Sequence, residues 1–285
     1  MTGYPLPGLL ILGASGRVGR ALARTWPADA PPTLWQHRPG ARLDTPGGTL
    51  SWGILSEEAP PLPQNIASMI VLAGVTGSAP ESLRRNIDLA LAGLALARRE
   101  GIGRVLVASS QAVYGRPMAP VSEIDPAEPT TPYGQSKREM EEALAGENGV
   151  TCLRLGNVAG ADGLFRAAAR SGEALQLDRI AATGGAPRRS YIGPVTLGRV
   201  LRDLVALPTP LPPLLNLACP GTVAMDTVLE AAGVPFETRP APPDALPVLE
   251  MDVSRLASLV PLTPVDAQAL VNEAYQAGWP QCALD

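Results

Sequence analysis

Residues 8 to 19, GLLILGASGRVG, limit the choice of fold more than any other stretch of the chain. The short apolar run Gly8 to Leu12 ends in glycines at 13, 16 and 19, and good helix formers follow in RALARTW, so the segment reads as strand, glycine turn and helix. The spacing G-x-x-G-x-x-G alone is weak in a chain with 29 glycines, since glycine turns have ordinary structural uses. Its place between a strand and a helix is the stronger signal. There, backbone N–H groups and a helix N-terminus can meet a pyrophosphate, so a dinucleotide is expected at Gly13, Ser15, Gly16, Arg17, Val18 and Gly19.

Further apolar runs follow at intervals: TLWQH (33 to 37), SMIVLAG (68 to 74), GRVLVASS (103 to 110) and TCLRLGN (151 to 157). RRNIDLALAGLALARREG reads as a helix between two of them, and a second helix is expected from about Tyr133 to Ala145. Strands apolar on both faces that alternate with helices imply an α/β fold, a Rossmann-type doubly wound parallel sheet, over residues 1–158. After Gly160 the texture changes. Pro-rich connectors at 206 to 213 and 235 to 247 separate short elements, which predicts a smaller irregular α/β substrate-binding region over 159–285, with some segments returning to the first domain.

Composition removes several function classes. With 46% apolar residues the chain can build a core. A net charge of −4 without a Lys/Arg block argues against a nucleic-acid partner. No apolar run reaches the roughly 18 residues of a membrane span, and Met1 to Pro7 lacks a basic leader, so no membrane partner and a cytoplasmic location are expected. Cys152, Cys219 and Cys282 are widely separated and read as buried thiols. With a single histidine, His37, no multi-histidine metal site is expected.

About 20 residues past the glycines, an acidic side chain would take the adenosine ribose hydroxyls of NAD. The chain has Gln36-His37-Arg38 there. Arg38, helped by Arg17, can bind a 2′-phosphate through charge-assisted hydrogen bonds, which favours NADP, with NAD as the alternative if Arg38 is only a solvated loop charge. Lysine and arginine together number 23, and only one of them, Lys137, is lysine. It lies four residues after Tyr133, on the same helix face. A compact ammonium beside a phenol, with an oxidised nicotinamide, would favour phenolate and make Tyr133 a general acid or base. Ser110 ends the preceding strand, where it can either hold a substrate oxygen or serve as a structural cap.

Taken together, GASGRVG, SSQAVYG (109 to 115), PYGQSK (132 to 137) and LRLGNVAG (153 to 160) resemble the extended short-chain dehydrogenase/reductase family, in its nucleotide-sugar epimerase and reductase branch. The resemblance implies a catalytic set of Ser110, Tyr133 and Lys137, with Ala73 and Asn86 as further cofactor contacts. It implies Asn157 at a nucleotide-sugar substrate, with Arg189, and secondarily Arg239, at the diphosphate. Gln111-Ala112 stand where dehydratases of the family carry Asp-Glu, and no Cys/His pair of the 3,5-epimerising reductases is present. Four-epimerisation and simple carbonyl reduction remain, beside a reductase of a small ketone and a non-catalytic NADP sensor. The helix over 86 to 100 is apolar nearly all round. It is expected to leave a strip at Leu91, Leu94 and Ala95, through which the resemblance implies a homodimer.

Overall fold

In β1, Gly8–Leu12, every residue is buried. Leu9 and Ile11 enter one hydrophobic cluster, whereas Leu10 and Leu12 enter another. This alternation fixes β1 at the centre of a two-faced sheet, because side chains along a strand point to opposite faces. The computed structural model describes residues 8–63, 65–77, 79–117, 120–170 and 174–281; Met1 to Pro7 and Cys282 lie outside them. Beside β1 stand β2 (Thr33–His37), β3 (Gly48–Ser51), β4 (Ile66–Val71), β5 (Arg104–Ser110) and β6 (Val150–Leu155). Leu214–Leu217 pairs with β6 at the far edge. Among the described residues the main sheet has seven strands, in the order Leu214–Leu217, β6, β5, β4, β1, β2, β3, and every pairing is parallel. The order reverses between β1 and β4. In an open parallel sheet that is where a crevice forms beyond the carboxyl ends of the strands.

Helices cover both faces. α1 (Arg17–Thr25) packs with α5 (Pro194–Ala206) on one side, and α2 (Pro80–Glu100) packs with α3 (Pro132–Ala143) on the other. Arg104, at the start of β5, donates to the carbonyls of Leu204, Val205, Leu207 and Thr209, which satisfies acceptors left open at the end of α5. At the other end of α5, Glu273 accepts from Thr196 N and Oγ1. Because α5 and Leu214–Leu217 lie with the main sheet, a division at 158/159 separates the chain in sequence more cleanly than in space.

The remaining elements are short. Asn157–Val158 pairs with Tyr191–Ile192, Arg188–Arg189 lies between Val223–Ala224 and Val248–Leu249, and Leu175–Arg179 pairs with Phe236–Pro240. Side chains supplement these brief ladders. The Ser190 hydroxyl accepts from Met251 N at 3.0 Å and donates to Gly221 O at 3.3 Å. Cys152 and Cys219 are free and buried. None of the described helices is long and apolar enough to cross a membrane.

α2 corrects one expectation. Leu94 is 6% exposed and packs in the core with Leu12 and Met69, so it is not part of an open strip. The face turned outward runs through Arg84, Asp88, Leu91, Ala95 and Arg98. α3 and the sheet cover more of the helix than its composition suggested.

Candidate active site

The glycine turn opens the site. Gly13 has φ +89°, and a Cβ there would collide with the backbone of Ala73. At Gly19 a Cβ would stand 2.6 Å from Ala14 Cα, against the start of α1. These two glycines let the turn, β4 and α1 pack tightly. Gly16 differs: its N–H closes the turn on Gly13 O at 3.0 Å, a Cβ there would stand 3.2 Å from that oxygen, and the residue lines the two cavities described next.

Two cavities share this loop. One, of about 670 Å³, extends from Gly13, Ser15 and Gly16 past Arg38 and Pro39 to Gly53–Ser56, with Ala73 on its wall. The other, of about 370 Å³, runs from the loop to Tyr133 and Lys137 and includes Val18. Among the described residues no carboxylate lines either cavity, whereas Arg17, Arg20, Arg38, Arg166 and Arg170 line the second. Gln36 stands where the ribose-binding acid was sought. It is 1% exposed, accepts from Gly13 N at 2.8 Å and donates to Trp52 O at 2.5 Å, so it braces the turn.

At the reacting end, the register of β5 with β6 places Ser110 opposite Leu155, and α3 brings Tyr133 and Lys137 over the same edge. Thr131 caps α3 by accepting from Gly134 N. The Ser110 hydroxyl lies near enough to the Tyr133 phenol to draw its pKa down, and it accepts from Ala112 N at 3.2 Å, the structural cap among the two readings of Ser110. Neighbouring Ser109 turns away and donates to Glu141 at 2.5 Å. Lys137 is 4% exposed, and its Nζ donates to Ala108 O at 2.8 Å. A Cβ added to Gly74 would stand 3.3 Å from that Nζ, and Met140 Sδ lies at 3.7 Å.

Burial lowers the Lys137 pKa from 10.5 to about 8, against the opposing pull of Cys152 and Glu141. Tyr133 departs from the sequence expectation. Burial raises its phenol above the usual 10, and the groups that draw it back down are the Ser110 hydroxyl and the Arg17 guanidinium. The Lys137 ammonium is held by Ala108 O. Arg17 crosses the cleft, donating to Ala161 O at 2.7 Å and to Thr76 Oγ1 at 3.2 Å.

Other expected residues lie further back. Asn86 is fully buried and lines neither cavity. Its amide pairs with both backbone groups of Val75 and donates to Ser136 Oγ, fixing the loop that does line them. Asn157 Oδ1 accepts from Gln111 Nε2 at 2.6 Å, beside the buried phenol of Tyr191. Arg189 donates to the carbonyls of Arg188 and Leu246 and lines neither cavity. Arg239 is held by Asp178 at 2.7 Å, also away from the cleft. Sequence reasoning missed Arg20, Arg166 and Arg170. The i, i+3 relation of Arg20 to Arg17 was an available signal, but nothing local places α4 (Gly163–Arg170) beside the glycine loop.

The sheet order and the glycine turn at its switch point form a Rossmann-type fold, and a family match makes the chain an enzyme of the extended short-chain dehydrogenase/reductase type. The model of the NAD dependent epimerase/dehydratase family matches residues 9–205, and the chain belongs to that family. Solved structures share the fold at low identity. The UDP-glucuronic acid 4-epimerase from Bacillus cereus, in complex with UDP-glucuronic acid and NAD, superposes with a TM-score of 0.77 at 17% identity, covering 95% of this chain and 98% of that one. TunA, a NAD dependent NDP-hexosamine 5,6-dehydratase involved in tunicamycin biosynthesis, gives 0.75 at 19%, covering 95% and 97%. The UDP-glucose 4-epimerase from Bifidobacterium longum, in complex with NAD+ and UDP, gives 0.75 at 16%, covering 95% and 97%. No curated protein sequence matches the chain significantly.

Proposed function

We propose that the protein is a cytoplasmic, NADP(H)-preferring epimerase or reductase that acts on a carbinol or carbonyl of a nucleotide-sugar-like substrate. The observation that carries this reading is the convergence of Tyr133 and Lys137 on the cavity that the glycine loop also lines, with the Ser110 hydroxyl near the phenol. The arginines at the adenosine end and, among the described residues, the absence of any lining carboxylate support NADP. Solved relatives that bind NAD keep that cofactor as the alternative.

The residues fit the dinucleotide: the glycine turn would receive a pyrophosphate, Arg38 would take a 2′-phosphate, joined by Arg20 once released from the carbonyls of Ser15 and Arg42, and Lys137 would hold the ribose next to the nicotinamide. When bound, the cofactor accepts or supplies the hydride. Tyr133 transfers the proton at the substrate oxygen, and Ser110 orients that oxygen while its hydroxyl favours phenolate. Arg17 adds positive charge on the same side. Asn157 and Arg189 remain candidates for the substrate, Arg189 through a rotation away from its present carbonyl partners.

Tyr133→Phe keeps the ring and removes the transferable proton. Turnover of a nucleotide-sugar panel should fall at least about 10²-fold while NADPH still binds. Normal turnover by Tyr133→Phe defeats the proposal. The dimer through α2 and α3 belongs to the same proposal and rests on the exposed Leu91 and Ala95.

A further inference from the structure

α4 belongs to the substrate-side part of the chain, yet its arginines face the loop that begins the cofactor side. Arg166 and Arg170 are four residues apart and so share one helix face. Both line the 370 Å³ cavity together with Ser15, Gly16, Arg17 and Val18. Arg17 reaches across to Ala161 O, two residues before α4 begins. Three guanidiniums thus surround one opening, and among the described residues neither Arg166 nor Arg170 has a carboxylate within ion-pair distance.

The like charges act on one another. Burial holds Arg17 below its usual value, the Arg166 charge lowers it further, and Arg170 adds a smaller push in the same direction. Asp162 opposes them, but burial raises its carboxyl from 3.8 to about 6, so its charge is itself disfavoured. Such a cluster lacks an anion. The opening adjoins backbone N–H groups of the glycine turn, so the anion that fits is a diphosphate lying along that turn.

We propose that Arg166 and Arg170 close, with Arg17, on the diphosphate of the dinucleotide, so that the substrate-side part of the chain helps to hold the cofactor. This inference rests on the functional reading above and adds a division of labour among the arginines. Arg20 and Arg38 distinguish NADPH from NADH, because only one of the two carries the 2′-phosphate. Arg166 and Arg170 serve what the two dinucleotides have in common. Bound from both sides, the cofactor leaves slowly.

The test uses the full chain with Arg166→Gln, Arg170→Gln and the double variant, each checked by thermal melting. NADPH and NADH are titrated by fluorescence, and UDP by calorimetry. Losing one charge-assisted hydrogen bond costs about tenfold in affinity or more. The double variant should therefore weaken NADPH and NADH by the same factor, at least about tenfold, and leave UDP unchanged, with Arg166→Lys restoring most of the loss. The factor should shrink at high salt. If UDP weakens while both dinucleotides bind normally, the arginines serve a substrate diphosphate and the cofactor assignment is overturned. Unchanged affinity for all three ligands overturns the site altogether. Unmodified protein that binds neither dinucleotide overturns the functional reading itself.

Discussion

The main sheet and the C-terminal part of the chain are built differently. In the main sheet, parallel strands five to seven residues long, such as β1 and β5, are tied by continuous backbone ladders and buried on both faces. In the C-terminal part, two-residue strands such as Arg188–Arg189 and Tyr191–Ile192 make only a few ladder bonds. Side chains reach further there, as Ser190 does to Met251 and Gly221, and Arg189 to three carbonyls. Where backbone pairing is scarce, single side chains hold the chain in place. A substitution there is expected to disturb one connection, and one in the sheet to disturb a whole layer.

The sharpest break of this contrast lies in α2. Leu94→Glu places a carboxylate in the sheet-facing core, and should cost about 3 kcal/mol or more in urea denaturation. Leu91→Glu, on the outward face, should leave stability nearly unchanged while light scattering reports monomer in place of dimer. Equal stability losses would show that both positions are internal to the subunit.

A smaller effect separates the two ends of the cofactor cavity. Arg38→Asp replaces a phosphate partner with a repulsive charge, so NADPH affinity should fall on the order of tenfold or more while NADH is little affected. Unmodified protein that binds the two nucleotides equally contradicts the preference. In the C-terminal part, Ser190→Ala leaves Met251 N without its partner, at a cost of about 1–2 kcal/mol. A loss as large as that of Leu94→Glu would mean that the short strands unfold as a unit.

The smallest effect depends on pH. Asp162 caps α4 by accepting from Phe165 N at 3.0 Å, and burial raises its carboxyl from 3.8 to about 6. Between those values the folded state holds a proton that the unfolded chain has released. Its contribution to stability therefore grows as pH falls through 6, and the cost of the buried charge stands in full above it. Asp162→Asn keeps a capping oxygen without the charge. Relative to that variant, the unmodified protein should lose stability as pH rises from 4 to 7, which urea curves at several pH values would follow. A constant difference between the two would refute the assignment.

The same contrast explains what could be read in the sequence. β1 and the glycine turn were legible because their signals are local: an apolar run, then glycines, then helix formers. Tyr133 and Lys137 were legible as one helix face. β3 was not, since GTLS is an edge strand with largely exposed residues and leaves no hydrophobic pattern. LLNLA was visible as a short element, but its pairing with β6 depends on a crossover through α5. The spacing of Tyr133 and Lys137 gave their shared helix face, but not the carbonyl of Ala108 that engages the ammonium, since that contact comes from β5. Arg166 and Arg170 carry no local mark at all, and only the folding of α4 against the loop brings them to the cleft.

For cofactor engineering, Gln36 closes the obvious route. Converting an enzyme of this type to NAD would ordinarily mean installing a carboxylate near the end of β2, among Gln36, His37 and Arg38, and here Gln36 supports the glycine turn from below. Aspartate is one methylene shorter and withdraws its oxygen from Gly13 N. Glutamate reaches, but it has no proton to give Trp52 O, and it would place a charge where only 1% of the residue meets solvent. Redesign of the nucleotide preference must start from the exposed Arg38 and from Arg20 on the first helix, leaving Gln36 untouched.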